Sequence, residues 1–312
     1  MRDSVVIVGG GMMGCGIAAV AATAGNPTIV VERQGKAREN GPKRVGKCVE
    51  ELAANGLISP ESAEFAMASL RFTDDLEEAC GHAAFVIEAI VEDLAAKQEL
   101  FKTLDALLPE DVIIVSNTSG LRITDIEVCA QKKQRMATAH FWFPAHLVPL
   151  VEVVMSEHTS EETAQSVRAR LKAWGKAPVI VRRDTPGQLA NRILQAVLRE
   201  AANIVEIGLA SAEDVDTAVK MGMGIRFPVW GPLEHVDGVG VDLCYKTQNS
   251  VLPAISNEQK AGAAYEKLMQ AGNLGYKTGK GFYDWSQKDM QALEKLRNAF
   301  IINAVKFIRE NS

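Results

Sequence analysis

The chain has 312 residues, of which 47% are hydrophobic and 23% are charged. At about 150 residues per domain this length predicts two domains, and such a composition excludes a disordered or fibrous protein. The formal net charge of -5 at pH 7 offers no general attraction for nucleic acid or an anionic membrane, so we expect small molecules and other proteins as partners.

Five cysteines are spread along the chain, at Cys15, Cys48, Cys80, Cys129 and Cys244. They form no C-x-x-C pair and no metal-ligand spacing with the histidines, which predicts reduced thiols and no metal site. No run reaches the roughly 18 continuous apolar residues of a membrane span, and the strand pattern that begins at Ser4 leaves no room for a signal peptide. We therefore expect a soluble cytoplasmic protein.

The first 32 residues have the pattern of a βαβ unit. Residues 4–8 are β-branched and apolar on both faces, which predicts a fully buried parallel strand. An alanine-rich helix follows and ends at Gly25, and a second strand is predicted over residues 28–32.

The next segment, residues 36–70, predicts helix in two pieces, with interruptions at Gly41-Pro42 and at residues 56–60. Helices are then predicted over residues 93–108 and 160–174. The accompanying strands are predicted over residues 84–87, 112–115, 136–141, 150–155 and 178–181. This alternation predicts an α/β domain with a mostly parallel sheet.

After Thr185-Pro186-Gly187 the strand pattern ends, and the remaining sequence predicts helices separated by glycine and proline. We predict an α/β domain over residues 1–184 and an all-α domain over residues 185–312. Within the second domain, residues 221–228 are predicted to be a loop and residues 287–310 a final amphipathic helix. Its apolar side is expected to pack on its own domain or across a dimer.

A glycine-rich turn joins the first predicted strand to the first helix. Gly9, Gly11 and Gly14 have the spacing G-x-G-x-x-G between a strand and a helix, the context in which this motif binds a dinucleotide pyrophosphate. Glu32 ends the second strand, where a carboxylate accepts hydrogen bonds from ribose hydroxyls and repels a 2′-phosphate, which favours NAD over NADP. Arg33 beside it is a basic residue that could meet a phosphate, which weakens the preference for NAD. A solvated charge at the strand end is the other alternative for Glu32.

Two polar residues in later strands are candidates for the chemistry. His140 closes the strand predicted over residues 136–141, where a histidine can take the proton of an alcohol while hydride leaves for the cofactor. Glu152 lies inside an apolar strand, where an unpaired carboxylate is costly, so it needs a buried polar or cationic partner. A nearby imidazole meets that need, and we predict that His140 and Glu152 pair.

Taken in order, these motifs resemble the 3-hydroxyacyl-CoA dehydrogenase family across most of the chain. The other matching segments are residues 86–94, 116–119, 149–153, 186–192, 231–234 and 277–283. The resemblance implies a Rossmann-type, NAD-binding N-terminal domain followed by a helical C-terminal domain that forms a homodimer.

The resemblance also implies roles for individual residues. His140 would be the base and Glu152 its orienting partner, with Ser119 and Asn191 donating hydrogen bonds to the substrate oxygen. Cofactor contacts are implied for Gly9, Gly11, Met12, Met13, Gly14, Glu32, Glu92, Lys97, Ser119 and Lys277. The family usually reads His-x-x-Asn-Pro where this chain has Phe143 before the proline, which indicates a more apolar substrate pocket.

Three features separate this chain from the CoA-dependent members of the family. Residues 50–80 carry eight acidic side chains and one basic one, where the CoA enzymes present lysines to nucleotide phosphates, although a basic cluster at residues 36–47 precedes them. The loop at residues 222–227 resembles that of L-gulonate 3-dehydrogenase and carnitine dehydrogenase. Its Arg226 can clamp a carboxylate with a bidentate fork, and a surface ion pair is the alternative.

The third feature is the segment 144–149, which resembles a loop of a pyridine-carboxylate dehydrogenase, together with the extra helix after Tyr283. We therefore predict an NAD-dependent dehydrogenase of a small 3-hydroxy carboxylic acid, with Arg226 on the carboxylate and Phe143 and His146 as further substrate contacts. One alternative is an L-3-hydroxyacyl-CoA dehydrogenase, and another is a non-catalytic, crystallin-like structural protein. A β-hydroxyacid dehydrogenase with a catalytic lysine is disfavoured, because the helix after Pro186 begins with Asn191-Arg192 and no lysine.

Overall fold

The computed structural model describes residues 3–311 and divides the chain into two compact units. Unit 1 extends to Ala190 and unit 2 begins at Asn191, six residues beyond the boundary predicted from the sequence. Among the described residues, no helix is both long and apolar enough to cross a membrane.

Unit 1 is built on one sheet of eight strands in the order β3-β2-β1-β4-β5-β6-β7-β8. The strands are β1 (Ser4–Val8), β2 (Thr28–Val31), β3 (Leu70–Thr73), β4 (Ala83–Glu88), β5 (Ile113–Ser116), β6 (Met136–Phe141), β7 (Leu150–Val154) and β8 (Ala177–Val181). Neighbouring strands run parallel, except that β6 and β7 pair antiparallel. The predicted α/β fold with a mostly parallel sheet is confirmed.

Helices cover both faces of this sheet, as a buried parallel sheet requires. They are α1 (Met12–Thr23), α2 (Gly35–Ala54), α3 (Pro60–Ala68), α4 (Leu76–His82), α5 (Leu94–Leu107), α6 (Ile123–Ile126) and α7 (Glu161–Ala173). The alternation of side chains along β1 serves both layers, since Val5 and Ile7 enter one core cluster while Val6 and Val8 enter the other. Every residue of β1 is buried, which explains its uninterrupted apolar sequence.

Two local predictions in this unit are wrong. Helix α2 continues through Gly41-Pro42 instead of breaking there. Gly41 lies against the ring of Phe72, where an added Cβ would come within 2.1 Å of a ring carbon. The helix predicted up to residue 70 ends earlier, and Leu70–Thr73 forms the edge strand β3 beside β2. That strand has four residues and an exposed Arg71, so it lacks the apolar run by which a buried strand is recognised.

Unit 2 is helical, as predicted. It contains α8 (Ala190–Glu206, which starts on the last residue of unit 1), α9 (Ala212–Ala218), α10 (Pro232–Val239), α11 (Val241–Val251), α12 (Ala263–Gln270) and α13 (Met290–Glu310). The predicted loop at residues 221–228 is wrong in its first part, because Val219–Gly224 forms a widened, π-helical turn that extends α9. Between residues 191 and 311, the buried hydrophobic side chains are only Ala202, Ile302 and Val305.

Candidate active site

The glycine turn between β1 and α1 has the geometry of a phosphate cradle. Gly9 has a φ of 114° and a Cβ there would lie 2.4 Å from the carbonyl oxygen of Ala89. A Cβ on Gly14 would lie 1.9 Å from the carbonyl oxygen of Gly9, whereas a Cβ on Gly11 would meet no atom within 4 Å. Gly9 and Gly14 are therefore required for close packing of the chain, and the backbone at Gly11 is open to a ligand.

The N-terminus of α1 suits an anion. Gly11 is its N-cap, with no side-chain cap and no acidic residue in the first turn, so the first backbone N–H groups and the positive end of the helix dipole remain for a pyrophosphate. Met12 opens the helix with 70% of its surface exposed, and Met13 packs partly against the core. These residues fit a bound dinucleotide.

Glu32 lies next to this turn, immediately after β2. Its Oε2 accepts a hydrogen bond from the backbone N–H of Gly10 at 2.9 Å, and its Oε1 accepts one from Gln34 at 2.8 Å. A carboxylate held beside the glycine turn at a strand end is placed to accept hydrogen bonds from ribose hydroxyls.

A buried network supports the ends of β4 and β5. Lys97 on α5 is 1% exposed, and its Nζ lies 2.5 Å from Glu88 and 3.3 Å from Glu92. Glu88 also accepts hydrogen bonds from Ser116 Oγ and from the backbone N–H of Ile90. Lys97 therefore holds Glu88 and Glu92 together, and its contact with the cofactor stays a prediction.

Glu92 in turn holds the turn after β5. Its Oε1 accepts hydrogen bonds from Thr118 Oγ1 at 2.5 Å and from the backbone N–H groups of Ser119 and Gly120 at 3.0 and 2.9 Å. Burial opposes the charged form of Glu92, but the hydrogen bonds from Thr118 and Gly120 and the charge of Lys97 outweigh it, so its pKa lies below the ordinary value. An ionised Glu92 therefore fixes the backbone on which Ser119 stands.

The predicted pairing of His140 and Glu152 is present. The antiparallel register of β6 and β7 places the two residues directly opposite each other, and His140 Nδ1 lies 2.8 Å from Glu152 Oε2. Three further donors reach the same carboxylate: Trp142 Nε1 at 3.0 Å from Oε2, and the backbone N–H groups of Leu189 and Ala190 at 2.9 and 2.8 Å from Oε1.

This arrangement keeps Glu152 ionised although its side chain is 0% exposed. Burial favours the neutral acid, but the hydrogen bonds from His140, Ala190, Trp142 and Leu189 outweigh it and lower the pKa of Glu152 to about 2. An ionised carboxylate accepts the Nδ1–H of the imidazole. The Nε2 of His140 is then the ring atom that exchanges a proton with a substrate.

The other residues predicted on the substrate side of unit 1 lie in the segment between β6 and β7. Phe143 is 48% exposed and precedes a cis peptide bond to Pro144. His146 Nε2 lies 2.8 Å from Glu51 of α2, and burial lowers its pKa, although Glu51 opposes this shift. Its partner in the structure is therefore a helix of its own unit, and its contact with substrate stays a prediction.

Three predicted site residues belong to unit 2. Asn191 is the second residue of α8. Arg226 is exposed and its Nε donates to the carbonyl oxygen of Gly222 at 3.0 Å. Lys277 is exposed in the short helical turn Tyr276–Thr278. Their roles in binding stay predictions.

Several supporting residues were not found from the sequence. Glu88 lies within the matching segment 86–94, and a charged residue that ends an apolar strand is a signal for a buried network. Asn117, whose Oδ1 accepts from the backbone N–H of Phe141 at 2.8 Å, directly follows a parallel strand, which is a second usable signal. Trp142 and the backbone of Leu189 and Ala190 carry no such signal, because their contacts depend on how the chain folds back to β7.

Among the described residues, no group of three or more histidine, cysteine, aspartate or glutamate side chains is arranged to hold a metal ion. The imidazole of His140, paired with an ionised carboxylate, can take up and return a proton. The glycine turn beside Glu32 fits a dinucleotide. Together they define a nicotinamide-dependent dehydrogenase. The NAD-binding domain of 3-hydroxyacyl-CoA dehydrogenase matches residues 4–185, and the C-terminal domain of the same enzyme matches residues 187–285. The chain belongs to the 3-hydroxyacyl-CoA dehydrogenase family.

Two curated proteins and one solved structure illustrate the range of this similarity. The chain is 33% identical, over 99% of both sequences, to 5-formyl-3-hydroxy-2-methylpyridine 4-carboxylate 5-dehydrogenase of Mesorhizobium japonicum. It is 38% identical to a probable 3-hydroxybutyryl-CoA dehydrogenase of Bacillus subtilis, over 91% of this chain and 98% of the relative. A crystal structure of the 5-dehydrogenase, described as an NAD+-dependent dismutase, superposes with a TM-score of 0.90 at 32% identity over 99% of both chains.

These findings confirm four predictions made from the sequence: the family, the Rossmann-type domain followed by a helical domain, the dehydrogenase class and the cofactor. The chain is an NAD-dependent dehydrogenase that acts on a hydroxyl group.

Proposed function

We propose that the chain oxidises a small 3-hydroxy carboxylic acid as the free acid. The observation that carries this proposal is the match over 99% of both chains to an enzyme named for a pyridine carboxylate, with a TM-score of 0.90. The match includes α13, which lies beyond the family's C-terminal domain at residues 187–285. A solved 3-hydroxybutyryl-CoA dehydrogenase of Escherichia coli superposes less well, with a TM-score of 0.76 at 30% identity over 93% of this chain and 61% of that one.

The chemistry we propose follows from the dyad of His140 and Glu152. Bound NAD supplies the acceptor for a hydride from the carbinol carbon. His140 Nε2 takes the hydroxyl proton, so the alcohol becomes a carbonyl and the imidazole becomes an imidazolium. The ionised Glu152, 2.8 Å from Nδ1, stabilises that positive charge and fixes the ring for the transfer. In the reverse reaction the imidazolium returns the proton to the alkoxide oxygen.

Binding of the substrate is assigned to residues predicted from the sequence. Ser119, on the turn that Glu92 holds, and Asn191 donate hydrogen bonds to the reacting oxygen. Arg226 binds the carboxylate through its planar, permanently charged guanidinium, and Phe143 offers an apolar surface.

The test is a comparison of substrates with the purified protein and NAD. We expect NADH formation with short free 3-hydroxy acids and a higher kcat/KM for them than for the matching CoA thioesters. A preference for thioesters would replace this proposal with the CoA-dependent alternative. A rise in melting temperature with NAD, together with no turnover of any hydroxy acid, would favour the non-catalytic alternative.

We also propose that unit 2 pairs with a second copy of the chain. Within residues 191–311, only three hydrophobic side chains are buried. Helix α8 presents Ile193, Leu194, Val197 and Leu198 with more than a third of each exposed. So much exposed apolar surface on one helix is unusual for a soluble monomer. Sedimentation equilibrium should give twice the chain mass, and Val197→Glu should shift the equilibrium toward the monomer. A monomer at all concentrations would contradict the pairing.

A cytoplasmic location remains a further proposal, supported by the scattered cysteines, all five of which are free thiols in the structure.

A further inference from the structure

Trp142 contacts the acid–base pair from a position that the reaction itself does not require. It lies two residues after His140, beyond the end of β6, and its Nε1 donates to Glu152 Oε2 at 3.0 Å. The same oxygen lies 2.8 Å from His140 Nδ1. The indole and imidazole rings are neighbours, with centroids 5.6 Å apart and planes inclined by 52°.

The two oxygens of Glu152 are therefore held by different parts of the protein. Oε1 accepts the backbone N–H groups of Leu189 and of Ala190, the first residue of α8. Oε2 accepts the imidazole and the indole. Because both rings donate to the same oxygen, a hydrogen bond from the indole N–H weakens the hydrogen bond that this oxygen accepts from the imidazole.

Two neutral residues lie next to this pair. From β8, Val179 is the register partner of Glu152. From the end of β5, Asn117 binds the backbone of Phe141. His140 and Glu152 are the titratable groups that face each other here, so a change at Trp142 acts on one coupled pair.

We propose that Trp142 is a positioning residue that sets the pH at which His140 becomes competent as the base. This inference rests on the proposed function, since it takes proton transfer at His140 as the chemistry. The indole N–H stabilises the carboxylate and weakens its hold on the imidazole. Without that N–H, Glu152 stabilises the imidazolium more strongly, and oxidation, which needs the neutral ring, requires a higher pH.

The test is Trp142→Phe, which keeps an aromatic ring and removes the N–H. The hydrogen bond from Nε1 acts on the carboxylate in both protonation states of the imidazole, and only the difference between the two states moves the profile. We therefore expect the acid limb of kcat/KM for oxidation to move up by roughly 0.5–1 pH unit. The rate on the alkaline plateau should stay close to that of the wild type. The matched control is Trp174→Phe, where the ring packs on Phe85 in the core, and its limb should not move.

A purely structural role for Trp142 predicts a different result. The rate would then fall by the same factor at every pH, with the acid limb in place, and this outcome or an unchanged profile would overturn the proposal. An acid limb that moves to lower pH would overturn the proposal as well. Loss of the indole N–H should strengthen the interaction of the carboxylate with the imidazolium, which moves the limb only to higher pH.

A second measurement covers the case in which Trp142→Phe does not fold. The chain has four tryptophans, so a proton–nitrogen NMR spectrum shows four indole N–H signals. We expect one of them far downfield, as for a hydrogen bond to a carboxylate, and expect it to move in His140→Gln. Four ordinary signals, unmoved by His140→Gln, would overturn the contact.

The two assays separate this inference from the proposed function. The acid limb is measured with whichever hydroxy substrate the protein turns over, so a preference for CoA thioesters refutes the free-acid proposal and leaves the Trp142 test intact. Turnover of free acids with an unmoved limb in Trp142→Phe refutes the inference alone.

Discussion

Glu152→Gln removes the buried charge of the acid–base pair and keeps its shape. The wild-type pKa of Glu152 is about 2, against an ordinary value of 4.5. At about 1.36 kcal/mol per pH unit, this difference corresponds to about 3 kcal/mol in favour of the ionised, folded state. The side chain is fully buried, so solvent screening does not reduce the figure much.

The variant also creates a geometric conflict. Four donors converge on the carboxylate: His140 Nδ1, Trp142 Nε1 and the backbone N–H groups of Leu189 and Ala190. A glutamine offers one carbonyl oxygen and one NH2 group. Its NH2 group would therefore face N–H donors of the protein and could accept no hydrogen bond from them. We therefore expect the free energy of unfolding at pH 7 to fall by about 3 kcal/mol or more.

The depressed pKa of Glu152 also determines how its contribution to stability changes with pH. Because the folded-state pKa is depressed, the contribution of Glu152 is fully present above pH 4.5 and is lost as the pH falls toward 2. Urea unfolding followed by circular dichroism between pH 7 and pH 3 should show a shallower acid loss in Glu152→Gln than in the wild type. The control is the exposed Glu64→Gln, which should match the wild type. Equal unfolding free energies and equal acid slopes in Glu152→Gln and wild type would refute the reasoning.

Further predictions concern the remaining parts of the site. His140→Gln should lower kcat at least ~100-fold, as expected for loss of a general base, with NAD binding by calorimetry unchanged; near-full turnover would show that another group takes the proton. Arg226→Met should raise KM for free acids ~10-fold or more and leave thioesters unaffected, and an equal KM for free acids would argue against the assigned role. Gly11→Ala should keep the wild-type melting temperature but weaken NAD binding, whereas Gly14→Ala, whose Cβ would lie 1.9 Å from the Gly9 oxygen, should lower both. Wild-type NAD affinity in Gly11→Ala would contradict the proposal that the pyrophosphate binds at this glycine turn.

The elements that the sequence predicts well are those whose pattern is local. The strand at residues 4–8 is buried on both faces, and the glycine turn after it has a fixed spacing, so both can be recognised without tertiary information. The pairing of His140 with Glu152 was also predictable, because a carboxylate in an apolar strand needs a partner. Its antiparallel register was not, since it depends on how the segment between β6 and β7 reverses the chain.

What escaped prediction depends on distant packing or on the backbone. Helix α2 passes through Pro42, and the neighbouring Gly41 fits against the ring of Phe72 in β3, a contact across about 30 positions of sequence. Lys97 resembles a surface lysine of an amphipathic helix, and only the fold reveals that it is buried between Glu88 and Glu92. The N–H groups of Leu189 and Ala190 have no side-chain signature at all.

Those two backbone donors are the last two residues of unit 1, so they hold the acid of the dyad to the end of its own unit. Their N–H groups help to keep Glu152 charged, because each donates a hydrogen bond to its Oε1. A chimera that takes its helical half from a relative must therefore be spliced after residue 190 or preserve the number of residues from β8 to the helix. A single insertion between β8 and residue 190 would displace both donors and weaken the acid–base pair, although every side chain of the pair was still present.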